Sequence, residues 1–230
     1  MNEAIQKMQE NIVPAAGQTF QPFIELEPEH SGLRVLFLGN SITLHGVAPH
    51  IGWNRLCGMA ASDVEKDYVH LCRAEILTSH PDAVFAIAQV AEWERQCFDG
   101  EKVLPLYQAA RDFRADVIVA RFIENCPWQD FDHAAFRVQL RRLLDFFNPD
   151  GKARLVITDG FWHHPGDEDL KAIAEELGVP FVVLGDLGER DEMKAVGEYE
   201  HGGVAQHPGD RGMAAIAGRI LDALHENAIL

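Results

Sequence analysis

The chain has 230 residues, with 36 acidic against 20 basic side chains and a formal charge of −16. That field repels nucleic acid and anionic membrane surfaces, so neither is expected as a partner. A hydrophobic content of 47% is enough to fill one sizeable core, which makes a single folded domain the expectation.

Residues 1–31 read as an N-terminal appendage, a short amphipathic helix within Met1–Val13 and then a Pro-rich extended stretch through Pro14, Pro22 and Pro28. It contains no apolar run of the signal-peptide kind. No later stretch approaches the roughly 18 apolar residues of a membrane span, so a soluble, cytoplasmic protein is expected. From residue 32 to 230 short apolar runs alternate with segments of helical spacing, the pattern of a parallel sheet covered by helices. Strands are predicted at Leu33–Leu38, Val84–Val90, Asp116–Phe122, Ala153–Thr158 and Pro180–Leu184. Helices are predicted at Ser62–Ser79, Val103–Phe113, His133–Phe147, Glu168–Leu177 and Asp210–His225. Cys57, Cys72, Cys97 and Cys126 are scattered and form no C-x-x-C pair, which points to reduced thiols and away from a zinc site.

The first predicted strand runs into Gly39-Asn40-Ser41-Ile42-Thr43. This puts a serine at the carboxyl end of a parallel strand, where open α/β sheets place their ligands. Near the other end, His207-Pro208-Gly209-Asp210-Arg211-Gly212 leads into the last helix, and Asp210 is a candidate cap for it. There is no Gly-x-Ser-x-Gly elbow, no Gly-Lys-Ser/Thr phosphate loop and no Gly-x-Gly-x-x-Gly, which disfavours α/β-hydrolase lipases and nucleotide binders.

On these blocks the chain resembles the SGNH hydrolases, the G-D-S-L esterases and lipases. The first block is Gly39-Asn40-Ser41, the third matches Asn125 in Arg121-Phe122-Ile123-Glu124-Asn125, and the last matches His207, Pro208 and Gly212. The resemblance covers residues 33 to about 226. It implies a flavodoxin-like, three-layer α/β/α fold with a five-stranded parallel sheet in the order 2-1-3-4-5. It also implies a serine-dependent ester hydrolase needing no metal or cofactor, with Ser41 as nucleophile and His207 as base. The oxyanion donors would be the Ser41 N–H, an N–H of the second block and the Asn125 amide.

Two departures from the family pattern follow. Where a Gly is usual after strand two, this chain has Gln89-Val90-Ala91-Glu92-Trp93-Glu94, and Ala91 is the nearest candidate donor. The family's Asp three residues before the catalytic His is Val204 here. A dyad is therefore expected, or a triad completed by a backbone carbonyl of the 202–205 loop or by Glu198, Glu200 or Asp210. Glu92, Glu124, Asn40 and Trp162 are further candidates for the pocket. The substrate expected is a small acyl or acetylated carbohydrate ester, since Trp53, Trp93, Trp128 and Trp162 offer aromatic faces to sugar rings. The competing reading is a catalytically impaired module that keeps the pocket to bind a carbohydrate or partner.

Overall fold

A computed structural model describes residues 22–230. Its sheet is built from β1 (Phe23–Glu25), β2 (Arg34–Gly39), β3 (Val84–Gln89), β4 (Val117–Arg121), β5 (Arg154–Thr158) and β6 (Phe181–Val182). The six strands lie in the order β1-β3-β2-β4-β5-β6. All neighbours are parallel except β1, which runs antiparallel on the edge of β3.

The central strands are apolar throughout because both faces of the sheet are covered. Successive side chains alternate between two cores. Leu36, Leu38, Ala86, Ala88, Ile118 and Ala120 face one, whereas Val35, Phe37, Phe85, Ile87, Val117 and Val119 face the other. The first core is closed by α2 (Ala91–Arg95), α3 (Gln108–Asp112), α4 (His133–Phe147) and α5 (Asp167–Leu177). The second is closed by α1 (Tyr68–Ser79) and α7 (Asp210–Glu226), and a short α6 (Gly202–Ala205) lies just before α7. This gives three layers, α/β/α.

The departures from the sequence-based elements have local causes. The sheet has six strands and not five, because Phe23–Glu25 pairs with Glu25↔Ala86 to Phe23↔Ala88 and continues through Leu26 N–H to Phe85 O at 2.8 Å. A three-residue strand between two prolines has too little periodicity to read. The helix expected within Met1–Val13 lies outside the described residues. The predicted 62–79 helix is broken at Asp67, whose carboxylate accepts from His70 N–H at 2.8 Å to cap α1 and from Gly58 N–H at 2.9 Å. Pro105 removes a backbone donor, and Gly100–Tyr107 winds as a 3-10 helix ahead of α3.

In the ladder Gly39 pairs with Arg121, so the chain leaves β2 and β4 side by side at the carboxyl edge. A Cβ on Gly39 would lie 1.7 Å from Thr43 Oγ1 and 2.9 Å from Arg121 O. Neither can yield without moving the turn that carries Ser41. Gly39→Ala is therefore expected to destabilise the fold by about 1–3 kcal/mol, read as a lowered urea midpoint at unchanged m-value.

Candidate active site

After β2 the chain makes a single helical turn in which Thr43 N–H and Leu44 N–H both return to Asn40 O, at 3.0 and 2.9 Å. Asn40 caps it, its Oδ1 accepting from Ile42 N–H at 3.2 Å. Ser41 is the first residue of the turn, where a backbone N–H has no partner within the turn itself. Its side chain is half-buried.

His207 approaches from the far end of the chain. Its main chain is fixed by His207 N–H to Val204 O and by Ala195 N–H to His207 O, both 2.9 Å. Gly212 lets α7 start close by, since a Cβ there would meet Met193 O at 2.1 Å. Ser41 Oγ lies 2.9 Å from His207 Nε2, and His207 Nδ1 lies 2.7 Å from Gly203 O. A carbonyl only accepts, so this contact assigns the proton to Nδ1 and leaves the Nε2 lone pair facing the serine hydroxyl. Trp162 stands edge-on to the imidazole, ring centroids 5.5 Å apart at 88°. Burial, reinforced by His45 and Arg121, pushes the His207 pKa from 6.5 down to about 4.

The carboxylates named as candidates for a third member lie elsewhere. Asp210 sits at the first position of α7, which Gly209 caps, and does not cap its own helix. It accepts from Ser62 N–H and Oγ–H at 2.8 and 2.7 Å and from Lys66 Nζ at 2.8 Å, tying α7 to the loop before α1. Glu198 and Glu200 are exposed and line a separate cavity of 640 Å³ with His50 and Tyr199. Glu92 accepts from Gln96 Nε2 at 2.6 Å on α2. Val204 is fully buried beside Ala48, Ile51, Trp53 and Met59, so an acid there would enter an apolar cluster.

The expected oxyanion donors differ in standing. Ala91 is fully buried and its N–H already donates to Gln89 Oε1 at 3.0 Å, which removes it from the set. Asn125 is half-buried; its Nδ2 donates once, to Glu94 Oε2 at 2.6 Å, and has a second N–H to offer.

Beneath the serine lies a polar cluster that sequence reasoning placed only in part. Asn40 Nδ2 donates to Glu94 Oε1 at 2.8 Å and to Glu124 Oε2 at 2.5 Å, while Arg121 Nη2 donates to Asn40 Oδ1 at 2.8 Å. Arg121 also holds Glu124 through two contacts of 2.6 and 2.8 Å, and Phe161 N–H donates to Glu124 Oε1 at 2.8 Å. Burial, with Glu124 nearby, raises the Glu94 pKa to about 7. Burial opposes ionisation of Glu124 as well, but the charge and hydrogen bonds of Arg121 outweigh it and hold that carboxyl below its usual range.

Other features stand apart from Ser41. His164 is buried, its Nε2 3.2 Å from Cys126 O, and packs on Trp128; His163 is exposed beside Glu189. Both border a 480 Å³ cavity with Trp128 and Asp159. Trp53 and Trp93 are core residues, whereas Trp128 is 55% exposed. Among the described residues all four cysteines are buried and free, no cluster of three ligating side chains suits a metal, and no helix is long and apolar enough to cross a membrane.

No family model and no curated protein matches the sequence. Solved structures do match the fold. A two-domain esterase active on acetylated mannans aligns with TM-score 0.55 and 16% identity over 84% of this chain and 48% of that one. A member of the lipolytic G-D-S-L family from Veillonella parvula DSM 2008 aligns with TM-score 0.53 and 15% identity, over 84% and 98%. A family two carbohydrate esterase from Clostridium thermocellum, in complex with cellohexaose, aligns with TM-score 0.53 and 13% identity, over 87% and 66%. The chain thus spans about half the length of the two-domain esterase. The resemblance read from the sequence blocks is borne out as a shared fold, that of G-D-S-L and carbohydrate esterases.

Two measurements follow from the histidine. Its Cε1–H resonance should titrate near pH 4 and not near 6.5. Because the folded pKa lies below the unfolded one, His207's contribution to stability is complete above about pH 6.5 and is lost as pH falls toward 4. A midpoint near 6.5 would contradict the burial assigned to the ring. Val204→Asp, in turn, buries an uncompensated carboxyl and is expected to cost roughly 2–4 kcal/mol without raising turnover, as thermal melts and ester assays would show.

Proposed function

We propose that this protein is a serine-dependent carboxylic ester hydrolase that works through a Ser41–His207 dyad. The observation that carries the reading is the continuous relay from Ser41 Oγ to His207 Nε2 at 2.9 Å and from Nδ1 to a main-chain carbonyl at 2.7 Å. A serine hydroxyl is a poor nucleophile until a base removes its proton, and that base must be neutral. The depressed pKa of His207 keeps it neutral through the physiological range.

In the first half-reaction His207 Nε2 takes the Ser41 proton while Oγ bonds to the ester carbonyl carbon, and the carbonyl electron pair moves to oxygen. The Ser41 N–H and the second Nδ2–H of Asn125 are the donors assigned to that oxyanion. Collapse expels the alkoxide, which takes the proton from Nε2 and leaves an acyl-serine. In the second half-reaction His207 deprotonates water, which attacks the acyl carbon, and the acid departs as Ser41 regains its proton.

The substrate class proposed is a small acyl ester or an acetylated carbohydrate. Trp162 beside the base supplies an aromatic face of the kind sugar rings stack on. Two solved neighbours act on acetylated mannans or hold cellohexaose, which favours the same class.

Ser41→Ala should keep the fold and abolish hydrolysis of a short nitrophenyl ester, and a fluorophosphonate should label Ser41 and no other serine. Retained turnover in that variant would sink the proposal. Asn125→Ala should lower kcat by about 10²–10³ with little change in KM, whereas an unchanged kcat would remove Asn125 from the oxyanion site. Asp210→Asn should leave kcat within about threefold, a size typical of a contact outside the reacting centre.

A further inference from the structure

Glu94 takes no part in the proton relay, yet its carboxylate joins the Ser41 turn, through Asn40, to the loop that carries Asn125. It is fully buried on α2. Oε1 accepts from Asn40 Nδ2 at 2.8 Å, behind the serine, and from Ile123 N–H at 2.6 Å. Oε2 accepts from Asn125 Nδ2 at 2.6 Å. Every group hydrogen-bonded to it is a donor.

A second observation lies in the main chain. Ile123 has φ 135°, a region that β-branched residues rarely occupy. Such a conformation persists only where the surroundings hold it. Here Glu94 grips the Ile123 N–H and Cys126 N–H donates to Ile123 O at 2.8 Å. The strained residue stands two positions before Asn125.

We infer that Glu94 is a positioning residue that orients the Asn125 carboxamide, so that a donor and not the amide oxygen meets the developing oxyanion. The inference rests on the esterase reading above. Oε1 is committed as an acceptor by Asn40 Nδ2 and the Ile123 N–H. Above its pKa of about 7 the carboxyl is ionised and cannot donate from Oε2 either, so only the nitrogen end of the amide can face it. That fixes which way the amide stands and holds its remaining N–H ready before substrate arrives. A glutamine at the same position is nearly isosteric but breaks the logic. If its oxygen keeps Asn40 and Ile123, its NH2 is set against Asn125 Nδ2, donor against donor. The conflict is relieved when the Asn125 amide turns over and withdraws its donor from the oxyanion.

A double-mutant cycle between Glu94→Gln and Asn125→Ala tests this, read as kcat and KM on a nitrophenyl acetate. Glu94→Gln alone is expected to lower kcat about thirty- to a hundredfold with KM within about threefold. In the Asn125→Ala background it should cost less than about threefold more, since no amide remains to orient. Equal losses in both backgrounds, or a loss carried by KM, would mean that Glu94 only supports the fold and would overturn the inference. Should Glu94→Gln fail to fold, the wild type answers by NMR with asparagine nitrogen-15 labelled and the Asn125 signals assigned through Asn125→Ala. One Nδ2 proton should be strongly protected from solvent exchange; two protons exchanging at the free rate would overturn the pairing. A wild type that hydrolyses no ester and leaves Ser41 unlabelled would overturn the esterase reading and this inference together, whereas additive losses in an active enzyme overturn the inference alone.

Discussion

The arrangement at the carboxyl edge depends on the side chain of Asn40. A carboxamide offers two N–H donors and one oxygen with two lone pairs, and here all four positions are filled, by Glu94, Glu124, Arg121 and the Ile42 N–H. The serine turn is thereby bolted to α2 and to the loop after β4. Arg121 is placed for this by the ladder, opposite Gly39 at the end of β4. It is fully buried, and its charge must be met locally. One guanidinium faces two buried carboxylates, so it fully compensates only one of them, and the two titrate as a pair. Glu124 has the bidentate contact and stays ionised. Glu94, further off, has the raised pKa.

The same economy of charge marks His207, the base of the proposed dyad. The last carbonyls of a helix lack partners within it. In α6, Gly202 O and Val204 O accept from Gln206 N–H and Gly203 O is left for His207 Nδ1. A neutral acceptor fixes the tautomer and the ring orientation as a carboxylate would, and in triads loss of the right tautomer costs about 10⁴. What it does not supply is a negative charge beside the imidazolium. Burial therefore sets the pKa of His207, and the upward pull of the Gly203 carbonyl does not offset it. In the proposed dyad such a base is weaker but stays neutral down to about pH 4.

How far the sequence reveals this depends on which atoms do the work. The central strands are legible because burial on both faces forces unbroken apolar runs, as in Val35–Leu38 and Val117–Ala120. Ser41, Asn125 and His207 stand out by side-chain type at ordered spacing, and the structure brings all three to the edge beside β2 and β4. Support for the histidine is not legible, since a main-chain carbonyl belongs to every residue and leaves no signature. Nor could Ala91 be judged, because its N–H goes to a side chain two residues back. Glu92 and Glu94 read alike as acids at a helix start. Two residues turn a helix by about 200°, so one faces Gln96 on the surface and the other faces the core under Asn40. Arg121 ending an apolar run was the remaining clue to that core.

The overall charge bears on the proposed reaction in a way that the individual contacts do not. A neutral ester approaches a protein of charge −16 without penalty, whereas its hydrolysis leaves a carboxylate. That product is formed above Glu94 and Glu124, whose carboxyls lie behind Asn40 and share a single guanidinium. Repulsion from these groups acts on the product and on the transient oxyanion alike. For the oxyanion it is offset by N–H dipoles that are close and aligned, but a free carboxylate rotates and no longer keeps that alignment.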